Sequence, residues 1–209
     1  NSNAGTSASQ SGGNSNVGTS SSSSKNSVIA TTMYEKQAQE INTLANDRRI
    51  DLKSFKLDIN LENDRNKLKE LDFDVLINNA AIGDSGSIAD ISVDRIENVF
   101  ETNVFSNIKI TQVALKNMIE NKRGRVIFLS SLAGRISIPF LGPYCASKFA
   151  IEGFASSLRK EMKKIDDVNI QIGIIEPGAY ATGFNKENNE KKYEWMYKDS
   201  YFKYKYPKK

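Results

Sequence analysis

The chain has 209 residues, 39% of them apolar and 26% charged, which is enough for one sizeable domain. Its formal net charge of +4 lies wholly in residues 186–209, where eight lysines face four acids, so the balanced remainder excludes a broad nucleic-acid surface. A single cysteine, Cys145, and the absence of histidine exclude an internal disulfide, the usual zinc ligand sets and every histidine-based triad.

Residues 1–27 contain eleven serines, five asparagines and four glycines, with Val17 as the one sizeable apolar side chain. Such a low-complexity segment buries too little to offset chain entropy and is expected to be disordered or artefactual. Val28-Ile29-Ala30-Thr31 reads as a short strand and Tyr34 to Ala45 as a helix. Phe55 to Ile59 and Phe73 to Ile77 are further strand candidates, the second running into Asn78-Asn79-Ala80-Ala81. Ser92 is a plausible N-cap for a long helix whose apolar side is Ile96, Val99, Phe100, Val104, Ile108, Thr111, Leu115 and Met118. Asn103 falls on that side, where a buried amide needs partners.

Val126 to Leu129 is a short apolar run of the kind buried on both faces of a parallel sheet, and Ser130 and Ser131 stand at its carboxyl end. A loop with Gly134, Pro139 and Gly142 leads to a helix from about Tyr144, with Ala146, Ala150, Phe154, Leu158 and Met162 as its expected apolar stripe. Tyr144 and Lys148 are four residues apart and leave one helix face. A phenol has an unperturbed pKa of about 10, and an ammonium one turn away is expected to lower it by roughly 1–3 units, toward the range useful for proton transfer. Ser131 supplies a hydroxyl that can hold a substrate oxygen against that phenol. Ile170 to Ile175 is the last apolar run; Glu176-Pro177-Gly178 and Thr182 follow it, and residues 186–209 form a lysine- and aromatic-rich tail read as a solvated, partly ordered end.

Ser131, Tyr144 thirteen residues later, and Lys148 within YCASK resemble the active-site segment of the short-chain dehydrogenase/reductases. The resemblance covers residues 28–185. It implies a three-layer, doubly wound α/β sheet of the Rossmann type. Asn79 and Ala80 lie in a segment similar to that family's Asn-Asn-Ala-Gly, with Ala81 departing from it, and Asp58 matches the residue that meets the adenine. By the same resemblance Asn103 is expected to complete an Asn–Ser–Tyr–Lys catalytic set, while Pro177, Gly178 and Thr182 are similar to the motif around the nicotinamide. Ile138, Phe140, Leu141 and Phe184 are candidates for the substrate wall.

One expected piece is not evident. The family's first strand, in the middle of the sheet, and its Thr-Gly-x-x-x-Gly-x-Gly turn should precede Val28, yet the nearest match, Ser11 to Gly18, has no apolar strand before it. The final strand that the resemblance implies is likewise expected to be missing or degenerate. Thr31, Thr32 and Met33 offer no acid for an adenosine ribose, which tilts the expected cofactor from NAD toward NADP.

The resulting expectation is a nicotinamide-dependent oxidoreductase acting on a small-molecule secondary alcohol or ketone. The alternative is a truncated or non-catalytic relative that cannot bind dinucleotide productively. A homodimer or homotetramer is expected from the apolar helices that pair in the family. No apolar run approaches the roughly 20 residues of a membrane span, and no leader is evident, so a cytoplasmic protein without membrane or nucleic-acid partners is expected.

Overall fold

The computed structural model describes residues 27–179, 184, 188 and 190–203. In chain order these form β1 (Val28–Thr32), α1 (Glu35–Asp47), β2 (Leu52–Lys56), α2 (Glu62–Asn66), β3 (Val75–Asn78), α3 (Val93–Phe100), α4 (Asn107–Glu120), β4 (Arg123–Leu129), α5 (Gly142–Met162), β5 (Asn169–Ile175) and α6 (Lys192–Asp199). Short 3₁₀ turns cover Lys67–Glu70 and Leu132–Gly134, and a π-helical segment, Glu101–Ser106, joins α3 to α4 without a break. The alternation of strand and helix gives an α/β fold of the doubly wound, Rossmann type.

Among the described residues all strand pairing is parallel. β1 lies against β2 with Val28 opposite Leu52, β3 against β4 with Val75 opposite Arg125, and β4 against β5 with Arg123 opposite Asn169. Among the described residues the strands fall into two groups, β2-β1 and β3-β4-β5, and no strand joins β1 to β3. Val28, Ile29, Val75 and Ile77 are accordingly exposed, as expected of strand edges without a neighbour. The Ser11–Gly18 segment, the nearest match to a phosphate-binding turn, lies outside the described residues.

The main core gathers around β4, whose Val126 and Phe128 are fully buried. Ala114, Leu115 and Met118 of α4, Ile151, Ala155 and Met162 of α5, and Ile170 and Ile172 of β5 close around them. A second cluster of Leu57, Ile59, Leu68 and Ile110 ties the β1-β2 group to α4. Beneath it Asp64 accepts from Lys56 and Lys67, each at 2.7 Å, and from the Asp58 amide at 2.8 Å.

Two expectations need correction here. The buried side of α5 is not the Ala146–Ala150–Phe154 row; Ala146 and Phe154 are exposed, and Cys145, Lys148, Ile151, Glu152 and Ala155 face inward. A repeat of four residues drifts around a 3.6-residue helix, so the true stripe moves between the i+3 and i+4 rows. The lysine-aromatic end is not simply solvated. In α6 Met196 is completely buried, and Trp195 Nε1 donates to Ser85 O while Ser200 Oγ donates to Asp90 at 2.6 Å.

Candidate active site

β4 delivers the serines. Beyond Leu129 the Ser130 amide donates to Ile175 O at 2.8 Å, keeping the chain against β5. Ser131 then leaves in an extended conformation, and its hydroxyl accepts from the Ala133 amide at 3.1 Å. The loop that follows turns sharply at Phe140, which sits at φ 65°, a left-handed conformation costly for a bulky residue. It is held there because Phe140 O accepts from the Gly86 amide at 2.8 Å and Leu141 bridges to Gly86. Strain retained by such surrounding contacts is a feature of functional loops. Gly142 and Pro143 open α5, proline suiting a first turn whose amides have no helical partner.

Tyr144 therefore sits in the first turn of α5, with its hydroxyl hydrogen-bonded to the Ser131 side chain. Lys148 is 4% exposed; its Nζ donates to Leu129 O at 2.7 Å and lies 5.6 Å from the centre of the Tyr144 ring. Burial, with no acid beside it, lowers the lysine pKa to about 8. The tyrosine is shifted upward, chiefly by burial and against the opposing effect of the Ser131 hydrogen bond. This corrects the expectation that the ammonium lowers it. The lysine nitrogen stands over the ring face rather than beside the oxygen, so desolvation of the phenolate wins.

Asn103 lies in the π-helical segment and is 1% exposed. Its Oδ1 accepts from the Ile82 amide at 2.8 Å, and its Nδ2 donates to Ile82 O at 2.8 Å and to Ser147 Oγ at 3.0 Å. Ser147 Oγ donates in turn to Tyr144 O at 2.7 Å. The wider turn of a π segment is a frequent device at functional sites, and here it carries the asparagine that clasps the segment after β3 and connects to the Tyr144 turn. Ser147 escaped the sequence reading. So did Asn107, whose Nδ2 donates to Ala80 O, Thr102 O and Asn103 O, each at 3.0 Å. The signal available was a polar residue on a core-facing row.

The asparagines after β3 divide their work. Asn78 is buried and donates to Thr111 Oγ1 at 2.8 Å, whereas Asn79 and Ala80 are exposed at the strand's carboxyl end. Asp58 accepts from the Asn60 amide at 2.9 Å, the geometry of an Asx turn. Pro177 O accepts from the Leu132 amide at 3.1 Å, which brings the Pro177–Gly178 turn beside the Ser131 loop. The Phe184 ring lies 5.8 Å from that of Tyr144, and Phe140 meets Phe202 edge-on at 5.3 Å. Ile138 is 38% exposed on the same loop, Leu141 is half-buried, and Thr182 lies outside the described residues.

A profile of the short chain dehydrogenases matches residues 13–193, most of the chain. The chain belongs to the short-chain dehydrogenase family. Dehydrogenase/reductase SDR family member 7B of Rattus norvegicus is 43% identical over 112 residues, covering 54% of this chain and 34% of that protein. The chain thus matches about a third of that relative's length. A short-chain dehydrogenase structure from Streptomyces avermitilis superposes with a TM-score of 0.66 at 25% identity, covering 76% of this chain and 59% of the other. A gluconate 5-dehydrogenase from Burkholderia cenocepacia, solved with NADP and tartrate, shares the fold, with a TM-score of 0.69 at 18% identity over 76% and 64% of the two chains.

Members of this family are oxidoreductases that act on small molecules. Among the described residues no group of acids and cysteines could hold a metal, and no helix is long and apolar enough to cross a membrane.

Proposed function

We propose that the chain catalyses the NADP(H)- or NAD(H)-dependent interconversion of a secondary alcohol and a ketone, with Tyr144 as the general acid and base. The observation that carries this reading is the meeting of Ser131, Tyr144 and Lys148 at the carboxyl ends of β4 and β5. Nicotinamide, when bound, supplies or accepts the hydride. Every other contribution comes from the protein.

The residues present fit such a cofactor. Lys148 spends one donor on Leu129 O, and an ammonium has three, so donors remain for ribose hydroxyls. Asn79 and Ala80 stand exposed at the end of β3, where ligands of open α/β sheets bind. Asp58 is assigned to the adenine end, while Pro177, Gly178 and Thr182 are assigned to the nicotinamide end. The end of β1 carries Thr31 and Thr32 without an acid, which favours NADP over NAD.

In reduction, Ser131 orients the carbonyl oxygen and Tyr144 donates its proton to it. A phenol held protonated by burial suits that direction, because it stays loaded throughout the neutral range. Lys148 holds positive charge beside the ring as the phenolate forms, and Asn103 with Ser147 fixes the first turn of α5. Ile138, Phe140, Leu141 and Phe184 would form an apolar wall for the substrate. Exposed Phe105, Phe149 and Phe154 on the π–α4 and α5 helices suit a homodimer or homotetramer, in a cytoplasmic setting without nucleic-acid or membrane partners.

The test has two steps. NADPH and NADH fluorescence is titrated against the protein, and Tyr144→Phe is then compared with the parent in ketone reduction. Binding of either nucleotide and loss of turnover in the variant are expected. Failure of both nucleotides at millimolar concentration would instead favour a relative that keeps the site without binding dinucleotide, in line with the unjoined edges of β1 and β3.

A further inference from the structure

Arg135 follows the 3₁₀ turn that Ser131 opens. Its Nη2 lies 2.6 Å from Glu176 Oε1 and 3.2 Å from Glu152 Oε2. Glu152 belongs to α5, one turn beyond Lys148, and Glu176 immediately precedes Pro177. One guanidinium nitrogen therefore joins three segments, each adjacent to a residue of the site.

The contact is not an ordinary surface pair. Glu152 is 8% exposed; among the described residues its Oε1 has no hydrogen-bond partner, and Arg135 is the cation paired with its Oε2. The backbone before Arg135 is pressed onto the same spot. A side chain at Gly134 would begin 2.7 Å from Ser130 Oγ, 3.2 Å from Lys148 O and 3.3 Å from Glu152 Cγ. Two backbone bonds run alongside, from the Ser130 amide to Ile175 O and from the Leu132 amide to Pro177 O.

Arg135 itself is 58% exposed, and exposed pairs stabilise little, about 0–1 kcal/mol. Its consequence is therefore geometric. A binding segment already held in place spares the cofactor the cost of ordering it, which shows in affinity, and the segments joined here carry Lys148 on one side and Pro177–Gly178 on the other.

We propose that Arg135 is a positioning residue that fixes the separation between α5 and the Pro177–Gly178 turn, and so governs how tightly the nicotinamide end of the cofactor is held. The cofactor role rests on the dehydrogenase reading; the tie itself does not. Loss of the arginine loosens the turn and strands the Glu152 carboxylate, while the phenol keeps its partners.

The experiment compares Arg135→Met, Arg135→Lys and Arg135→Met/Glu152→Gln with the parent chain. Hydrogen exchange at the Ser130 and Leu132 amides should quicken about tenfold in Arg135→Met, with amides of β1 and α1 unchanged. KM for NADPH should rise about five- to tenfold, with kcat and its pH profile within about twofold, and Arg135→Lys should recover part of the loss. Removing the stranded carboxylate in the double variant should restore thermal stability but not KM. Unchanged exchange in Arg135→Met would overturn the tie, and a fall in kcat at constant KM would overturn its assignment to cofactor positioning. If the parent binds neither nucleotide, the dehydrogenase reading fails; the exchange comparison then still decides whether the tie exists.

Discussion

The ammonium of Lys148 stands 5.6 Å from the centre of the Tyr144 ring, over its face, while its hydrogen bond goes to Leu129 O. Among the described residues the lysine is thus buried as a cation without an acid partner, and this placement has a cost that depends on pH. Its native pKa of about 8 lies below the usual lysine value, so between the two the unfolded chain binds more protons than the folded one. Stability then rises with pH across that window. Lys148→Met should abolish ketone reduction and make the protein more stable at pH 7, by up to about 3 kcal/mol. The advantage should shrink as pH climbs above 8, and thermal melts at pH 7 and pH 9.5 measure it. A variant equally destabilised at both values would contradict the buried-cation account.

Activity should follow the same group from the other side. If the lysine must be charged to support the phenolate, reduction should decline as pH rises through about 8, well before Tyr144 itself titrates, because burial shifts the phenol upward. A rate profile with saturating cofactor checks this. Lys148→Arg, which keeps its charge throughout, should retain little activity but lose the decline.

Asn103 and Ser147 make a second pair whose role is measurable. Asn103→Ala would leave the amide and carbonyl of Ile82 without their side-chain partner inside the fold, and should cost roughly 1–3 kcal/mol in denaturant unfolding. Ser147→Ala removes one donor to Tyr144 O and should cost about 1 kcal/mol, with a larger fall in kcat than in substrate affinity. Identical stabilities for Asn103→Ala and the parent would show that water replaces the amide.

What the sequence disclosed followed from local chemistry. Ser131, Tyr144 and Lys148 were legible because a strand end and one helical turn suffice to bring them together. Ser147 and Asn107 were not: each is an ordinary helix residue until its partner, 44 or 27 positions away, is known. The strand expected at Phe55 to Ile59 ends at Lys56 in the structure, because the Leu57 amide still reaches Thr32 O but Asp58 turns the chain at Asn60. The upward shift of Tyr144 depended on where in space the lysine nitrogen came to rest, which i,i+4 spacing leaves open.

Asp64 predicts the acid limit of the fold. Hydrogen bonds from Lys56 and Lys67, then from the Asp58 amide, hold its carboxyl well below the usual range. Its native pKa is depressed, so its contribution is fully present above the unfolded value of about 3.9 and is lost as pH falls below that. Asp64→Asn should lower stability at pH 7 by roughly 1–3 kcal/mol. Between pH 4 and pH 2 the gap between variant and parent should narrow without closing, because the native carboxyl stays ionised to lower pH than the unfolded one; a constant gap across that range would show that the carboxylate's charge is not what matters.

The docking of α6 rests on one glycine and the chain's single tryptophan. A side chain at Gly86 would begin 2.1 Å from Trp195 Cζ2, and Arg95, paired with Asp84, lies 5.7 Å from the centre of the same ring. The Gly86 backbone in turn holds Phe140 O, so α6 presses on the loop that leads into Tyr144. Gly86→Ala cannot be absorbed by a flexible tip, because the obstacle is the indole ring itself. It should displace Trp195 into water, red-shifting its fluorescence and exposing the α6 backbone to proteolysis, while β4 and β5 remain protected from hydrogen exchange. Substrate affinity should weaken as Phe140 and Leu141 lose their support, with kcat less affected. Fluorescence unchanged from the parent would mean that the indole does not rest on Gly86 in solution.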